Sequence, residues 1–153
     1  MYVIVIGAGE VGSNIAASLA DSHEVVLVDR DGDVVDSLTY ELDVLPLEGD
    51  GTSLDTLEEA GIAQADMVIA CTDDDETNIV ACATAKTVSD AFTIARVKRT
   101  EFLDTWSGVE GAFGVDFMVC TDLLTAQSIV RIAGLPGARD VDSFANGCVR
   151  MAE

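Results

Sequence analysis

Three glycines near the amino terminus are the first residues whose spacing indicates chemistry. Gly7, Gly9 and Gly12 form GAGEVG directly after an apolar run and at the start of an alanine-rich stretch. In that order the first glycine permits a tight turn, the second lets a pyrophosphate approach the backbone, and the third lets helix and strand pack closely. The N–H groups at the helix N-terminus attract phosphate. The stretch therefore predicts a phosphate-binding loop, formed by Gly7, Ala8, Gly9, Glu10, Val11 and Gly12.

An acidic residue lies where a nucleotide's ribose needs an acceptor. Asp29 ends the second apolar run, 22 positions after Gly7, and its carboxylate suits ribose hydroxyls. Because that charge repels a 2′-phosphate, NAD-type or adenosine ligands are favoured over NADP. Arg30 complicates this preference, since a guanidinium can bind a 2′-phosphate or stack on adenine.

Polar segments follow the third and fourth apolar runs, where open α/β sheets bind ligands. In LEGDGT, residues 47–52, Asp50 and Thr52 could contact the adenosine or cap the next helix. In ACTDDDETN, residues 70–78, Thr72 and Asp73 could equally face the phosphates or ribose or belong to a helix cap.

The acids that follow Asp73 have a simpler interpretation. Asp74, Asp75 and Glu76 could hold a divalent cation, but a helix N-terminus also favours acidic side chains. We interpret them as helix-capping acids and predict no metal site.

Residues able to transfer a proton are scarce. His23 is the single histidine, and it lies in a predicted surface turn away from the ligand edge. Lys98, after the fifth apolar run, is a weak candidate proton carrier. We therefore predict a protein that holds its ligand and has no catalytic residue. The alternative is a small NAD-dependent oxidoreductase or its cofactor-binding half.

The elements that must position these residues alternate along the chain. Short runs rich in β-branched residues are separated by helical patterns of about ten residues, which predicts repeated βαβ units. The predicted strands are Tyr2–Ile6, Glu24–Val28, Val44–Leu47, Met67–Ala70, Phe92–Val97 and Phe117–Cys120. The predicted helices are Val11–Ala20, Asp33–Glu41, Ser53–Ala60, Glu76–Thr87, Arg99–Trp106 and Leu123–Ala133. The fold class is α/β, a doubly wound Rossmann-like sheet of about six parallel strands with helices on both faces.

The last residues differ in character from the rest. Pro136 and Gly137 are expected to end the last long helix. We predict a nucleotide-binding domain over residues 1–137, and a tail or connector over 138–153 that leads toward a further domain. Within it, residues 141–151 are predicted as a strand or tail with a turn at ANG.

Charge and composition restrict the partners. The chain has 153 residues, 28 acidic and 8 basic, for a formal charge of −20. Such a surface repels nucleic acid and anionic membranes, and no apolar run approaches the roughly 20 residues that span a bilayer. The dispersed acids favour adaptation to a salt-rich cell over an acidic binding face. Three of the four cysteines lie in apolar segments and are predicted to be buried reduced thiols in a cytoplasmic protein.

Four motifs in order resemble the nucleotide-binding domain of the Trk/RCK (KTN) family over about residues 2–137. They are VIVIGAGEVGSNIAASLA, VVLVDRD, the stretch from LPLEGDGT to ACATAK, and IARVKRTEF. The family's TrkA proteins are cytosolic regulatory subunits of potassium uptake systems, and relatives form gating rings of potassium channels. The resemblance implies a cytoplasmic regulator, held at the membrane by a potassium-translocating subunit, in which nucleotide binding gates the pore. It also implies a homodimer or ring.

The resemblance also implies ligands and contacts. Family members bind NADH, NAD, ATP or ADP, and we expect NAD or NADH in preference to ATP or ADP. Pairing helices are implied at about 76–88 and 99–107, where Ile79, Val80, Ala83 and Val88 serve either that interface or this domain's own core. The implied ligand contacts are Gly7, Gly9, Glu10, Val11, Asp29, Arg30, the Gly49-Asp50-x-Thr52 motif, Thr72, Asp73, Glu76, Asn78 and Arg96.

Overall fold

The computed structural model describes residues 1–38, 42–109, 111–133, 141–144 and 149–152. Its contacts divide the chain into two compact units, Met1–Val119 and Cys120–Glu153. The predicted boundary at residue 137 lies outside the described residues, and the domain assignment stays a prediction.

Six strands form one sheet in the order β3-β2-β1-β4-β5-β6. Strand β1 is parallel to β2 and to β4, β2 is parallel to β3, and β4 is parallel to β5. The order reverses direction at β1, so with right-handed connections the first two crossovers, β1 to β2 and β2 to β3, lie on one face and the later ones on the other. The strands are β1 Tyr2–Ile6, β2 Glu24–Asp29, β3 Leu45–Glu48, β4 Met67–Ala70, β5 Phe92–Val97 and β6 Phe117–Cys120.

Six helices follow the strands in alternation. They are α1 Glu10–Ala20, α2 Gly32–Leu38, α3 Leu54–Glu59, α4 Asp75–Val88, α5 Thr100–Gly108 and α6 Thr121–Ala133. Single 3₁₀ turns at Ile62–Gln64 and Ala112–Gly114 lead into β4 and β6. The predicted fold class, a doubly wound parallel sheet with helices on both faces, is confirmed.

The central strand explains why this architecture forms. Val3, Ile4 and Val5 are all 0% exposed, so successive side chains of β1 are buried on opposite faces of the sheet. On one face Val3 and Val5 pack with Val25 and Leu27 of β2, and α1 covers them. A strand that is apolar on both faces needs a helical layer on each side.

The boundaries of two strands differ from the sequence prediction by one residue. Strand β2 extends to Asp29 because Asp29 pairs with Glu48, and β3 begins at Leu45 because Leu45 pairs with Val26. Pro46 is tolerated in β3 because this is an edge strand. The helices start and end within a few residues of prediction, and the predicted end of α2 falls on residues 39–41, outside the described ones.

The second unit contains α6 and two short strands. Strands β7 Val141–Phe144 and β8 Val149–Ala152 pair antiparallel, with Val141 opposite Ala152. The predicted strand in residues 141–151 is thus present as two strands. The predicted turn at ANG and the helix stop at Pro136 and Gly137 lie outside the described residues.

Candidate functional site

A cavity of about 160 Å³ lies at the carboxyl ends of β1, β2, β3 and β4. This is the edge where the strand order reverses, the place where open α/β sheets bind ligands. The lining includes these residues predicted from the sequence: Gly7, Asp29, Arg30, Gly49, Asp50, Thr72 and Asp73. It also includes Ile6, Val28, Gly51 and Thr77, which the sequence did not single out.

The structure explains the need for glycine differently at the three positions of the loop. Gly7 has a φ of 102°, and a Cβ there would lie 2.8 Å from the Thr72 amide nitrogen. A Cβ on Gly12 would lie 1.7 Å from the Gly7 carbonyl oxygen. Gly9 is the N-cap of α1, and a Cβ added there would have no neighbouring atom within 4 Å. Packing therefore requires Gly7 and Gly12, whereas the bare side of Gly9 faces open space at a helix N-terminus. Ala8 is buried in the loop, and Glu10 and Val11 form the first turn of α1.

Asp29 connects the ends of β2 and β1. Its Oδ2 accepts a hydrogen bond from the Ala8 amide at 2.6 Å, and its Oδ1 accepts one from the Asp31 amide at 3.0 Å. A carboxylate offers about four acceptor positions, so two remain for other donors. Asp29 fixes the glycine loop and keeps acceptor capacity toward the cavity that it lines.

Asp50 shapes the turn after β3. Its Oδ1 accepts hydrogen bonds from the Thr52 amide at 2.9 Å and the Thr52 hydroxyl at 2.8 Å. The bond from the backbone amide, followed by that from the hydroxyl, lowers the pKa of Asp50. The N-cap of α3 is Ser53, so Asp50 holds a turn before that helix.

Asn78 joins the ends of β4 and β5. It is 0% exposed. Its Oδ1 accepts from the Thr72 amide at 2.8 Å and the Thr72 hydroxyl at 2.7 Å, while its Nδ2 donates to the carbonyls of Thr72 at 3.0 Å and Arg96 at 2.8 Å. Both amide hydrogens are thereby used within the protein. The structure gives Asn78 a positioning role behind Thr72 and does not bring it to the cavity; a ligand contact at Asn78 stays a prediction.

Asp73 lies in a cluster with two basic side chains. Lys98 donates from Nζ to the Asp73 Oδ1 at 3.0 Å and to its carbonyl at 3.1 Å. Arg96 Nη1 lies 3.7 Å from the same Oδ1 and donates to the Thr72 carbonyl at 3.2 Å. The hydrogen bond from Lys98 is the main cause that lowers the pKa of Asp73. Lys98, the candidate proton carrier, is thus held in an ion pair.

Of the acids after Asp73, two bond backbone amides at helix starts and the third forms an ion pair. Asp74 is the N-cap of α4 and accepts from the Thr77 amide at 2.7 Å. Asp75 is 6% exposed and accepts from the amides of Lys98 at 2.9 Å and Arg99 at 3.0 Å, ahead of α5. Glu76 pairs with the Arg99 guanidinium. The pairing across 23 positions, from α4 to the start of α5, was not foreseen.

The predicted interface stripe on α4 divides into two parts. Ile79 is 8% exposed, whereas Val80 is 48% and Val88 is 42% exposed. Ile79 therefore belongs to this domain's core, and Val80 and Val88 remain on the surface.

Groups away from the cavity agree with their predicted structural roles. His23 lies in the turn before β2. Cys71, Cys82 and Cys120 are buried free thiols, while Cys148 lies outside the described residues. Burial raises the pKa of Cys71 to about 11 and that of Cys82 to about 12.

In the described part of the chain no three His, Cys, Asp or Glu residues form a group that could hold a metal ion. No described helix combines the length and apolar character required to cross a bilayer.

The glycine loop, the acid at the end of β2 and the crevice at the reversal of strand order define a Rossmann-type domain. The TrkA-N domain family model matches residues 3–120, and this chain belongs to that family.

The curated relatives of this chain are named as Trk potassium uptake proteins. A "Trk system potassium uptake protein trkA homolog 1" of Methanosarcina mazei is 39% identical over 160 residues, covering 100% of this chain and 39% of the relative. A TrkA homolog of Archaeoglobus fulgidus is 36% identical over 153 residues, covering 100% of this chain and 35% of the relative. The chain thus spans less than two fifths of the length of these relatives.

Solved structures share the fold. The TrkA-N domain of the inner membrane protein ybaL from Escherichia coli has a TM-score of 0.76 at 19% identity, covering 86% of this chain and 95% of that one. GsuK bound to ADP has a TM-score of 0.71 at 28% identity, covering 86% and 33%. The GsuK channel bound to NAD has a TM-score of 0.67 at 20% identity, covering 77% and 21%.

Proposed function

We propose that this chain is the nucleotide-binding part of a cytoplasmic regulatory subunit of a potassium uptake system, and that it catalyses no reaction. The ligand is an adenine nucleotide or dinucleotide, with NAD or NADH favoured over ATP or ADP. Binding changes the conformation of the subunit and so gates a membrane potassium-translocating partner. The observation that carries the proposal is the crevice lined by Gly7 of the glycine loop, by Asp29 and by Asp50.

The crevice and the adjoining glycine loop each suit one part of such a ligand. The open side of Gly9 and the N-terminus of α1 suit the phosphates, since unpaired N–H groups and the helix dipole favour anions. The remaining acceptor positions of Asp29 suit the ribose hydroxyls. Arg30, which also lines the cavity, suits the adenine ring. The carboxylate of Asp29 disfavours a 2′-phosphate, which argues against NADPH.

The proposal of a holder without catalysis is supported by the position of Lys98. Its ammonium is hydrogen-bonded to the Asp73 carboxylate and carbonyl, so its donors are directed at Asp73.

The role in potassium uptake rests on the relatives named as Trk potassium uptake proteins. The structures of GsuK with ADP and with NAD support nucleotide binding on this fold. Self-association as a homodimer or ring would use α4, where Val80 and Val88 are exposed.

Isothermal titration calorimetry of the 153-residue chain in multimolar KCl tests the proposal. NADH, NAD, ATP, ADP and NADPH are titrated separately, and NADH is also incubated with a panel of small carbonyl compounds. We expect NAD or NADH to bind tightest, NADPH weakest, and no turnover. Absence of binding by all five, or NADH oxidation that disappears in Lys98→Met, would contradict it.

A further inference from the structure

One acidic and two basic side chains form an ion-pair cluster near the ends of β4 and β5. Asp73 lines the cavity and its side chain is 92% exposed. Lys98 and Arg96 both approach its Oδ1, at 3.0 and 3.7 Å. These are two of the eight basic residues in a chain with 28 acidic ones, so this pair is a notable concentration of positive charge.

Asp73 lies on the cavity side of that cluster. The cavity lining includes Thr72 and Asp73, whereas it does not include Arg96 or Lys98 among the described residues. The Arg96 side chain is 14% exposed and that of Lys98 is 40% exposed. A ligand phosphate approaching from the glycine loop therefore meets the carboxylate before either cation.

The cluster can exchange partners without moving the backbone. The amide of Lys98 is held by Asp75 Oδ1 at 2.9 Å, and the carbonyl of Arg96 by Asn78 Nδ2 at 2.8 Å. The anchored backbone leaves the Lys98 side chain to rotate alone. Because Asp73 is exposed, its ion pair with Lys98 is weak, and a multiply charged phosphate competes well against it.

From this geometry we infer that Asp73 is a built-in competitor of the ligand's phosphates: it neutralises Lys98 and Arg96, and a bound anionic nucleotide displaces it. Asp73 thereby lowers the affinity for anionic ligands and favours those whose phosphates reach both cations. The inference rests on the proposed function, and it assigns to Asp73 a role opposite to that of a direct ligand contact.

A double-mutant cycle tests this role. ADP and NAD are titrated by calorimetry into the wild-type chain, Asp73→Asn, Lys98→Met and the double variant, with thermal unfolding confirming that each is folded. We expect Asp73→Asn to bind about three-fold tighter than wild type, the scale of an exposed ion pair. The gain should be smaller in the Lys98→Met background, where only the 3.7 Å pair with Arg96 remains. Glu48→Gln, at the end of β3 on the opposite flank of the crevice, removes the same charge and measures the general field effect.

Three results would overturn the inference while leaving the proposed function intact. The first is weaker binding by Asp73→Asn, which would make Asp73 a direct contact. The second is an equal gain in Glu48→Gln, and the third is an undiminished gain in the Lys98→Met background. Failure of ADP and NAD to bind the wild-type chain would instead remove the proposed function and this inference together.

Discussion

The Asp29 carboxylate accepts a 2.6 Å hydrogen bond from the amide of Ala8, which joins the acid after β2 to the glycine loop after β1. A charged acceptor strengthens such a bond. The residue expected to recognise the ribose therefore also shapes the loop expected to recognise the phosphates. Substitution of Asp29 affects both.

We expect Asp29→Ala to weaken nucleotide binding by about 1.5–3 kcal/mol, because hydrogen bonds to a charged group are lost. The melting temperature should also fall, since the Ala8 and Asp31 amides lose their acceptor. Calorimetry and thermal unfolding measure the two effects. Glu24→Gln removes the same charge at the other end of β2 and should change neither. Unchanged affinity in Asp29→Ala would show that the ribose binds elsewhere.

Gly9 and Gly12 should respond oppositely to alanine. Gly12→Ala should lower stability by about 3 kcal/mol or more, because its Cβ would overlap the Gly7 carbonyl. Without that overlap, alanine in a helix is more stable than glycine by about 1 kcal/mol. A loss of stability in Gly12→Ala would therefore show that the steric overlap outweighs the helix preference. Gly9→Ala should change stability little but weaken nucleotide binding at least about ten-fold, since the methyl group enters the space proposed for the phosphates. Urea unfolding and calorimetry separate these outcomes; tight binding by Gly9→Ala would contradict the phosphate position.

Asn78→Ala should destabilise the domain by about 2–4 kcal/mol, because the Thr72 amide and the Thr72 and Arg96 carbonyls lose buried partners. Asn14→Ala is the matched control, since Asn14 is exposed and bonds within its own helix. We expect that control to stay within about 0.5 kcal/mol of wild type by urea unfolding. A similar small effect for Asn78→Ala would mean that the β4 and β5 ends hold their positions without it.

Salt should stabilise this domain, as the composition predicts. With a net charge of −20, repulsion among acids opposes the compact state at low salt, and about 1 M salt shortens the Debye length to roughly 3 Å. At 0.1 M KCl the Debye length is still roughly 10 Å, so neighbouring acids repel one another there. We expect the melting temperature to rise steadily as KCl is raised above that concentration. A variant with four exposed acids neutralised should show a shallower rise: Asp21→Asn, Glu24→Gln, Glu58→Gln and Glu59→Gln. Equal slopes would show that the salt effect does not arise from these charges.

Periodicity made the sheet predictable. Every strand in the six-stranded sheet appears within one residue of its expected range, because runs apolar on both faces leave few alternatives. The glycine loop was predictable for the same reason, since its strand–turn–helix context is local. Asp29, 22 positions from Gly7, was found because its distance in the motif is set by one βα unit.

The bonds between side chains of distant elements could not be read from the sequence. The predicted ligand contact at Asn78 stays a prediction, and nothing in the sequence indicated that this residue also holds the ends of β4 and β5. Lys98 was weighed as a proton carrier, but it pairs with Asp73, 25 positions earlier. Both arrangements depend on how the loop before α4 and the first turn of that helix lie against the end of β5, and a run of polar residues carries no signal for that orientation.

The central position of β1 has a consequence for how the domain is made. The strand that carries the glycine loop needs β2 on one edge and β4 on the other, yet β4 begins only at Met67. During synthesis the loop is therefore exposed at an open sheet edge until β4 leaves the ribosome, and Thr72 cannot yet pack against Gly7. The crevice matures late, so a nascent chain would become able to take up its ligand only when most of this sheet has been translated.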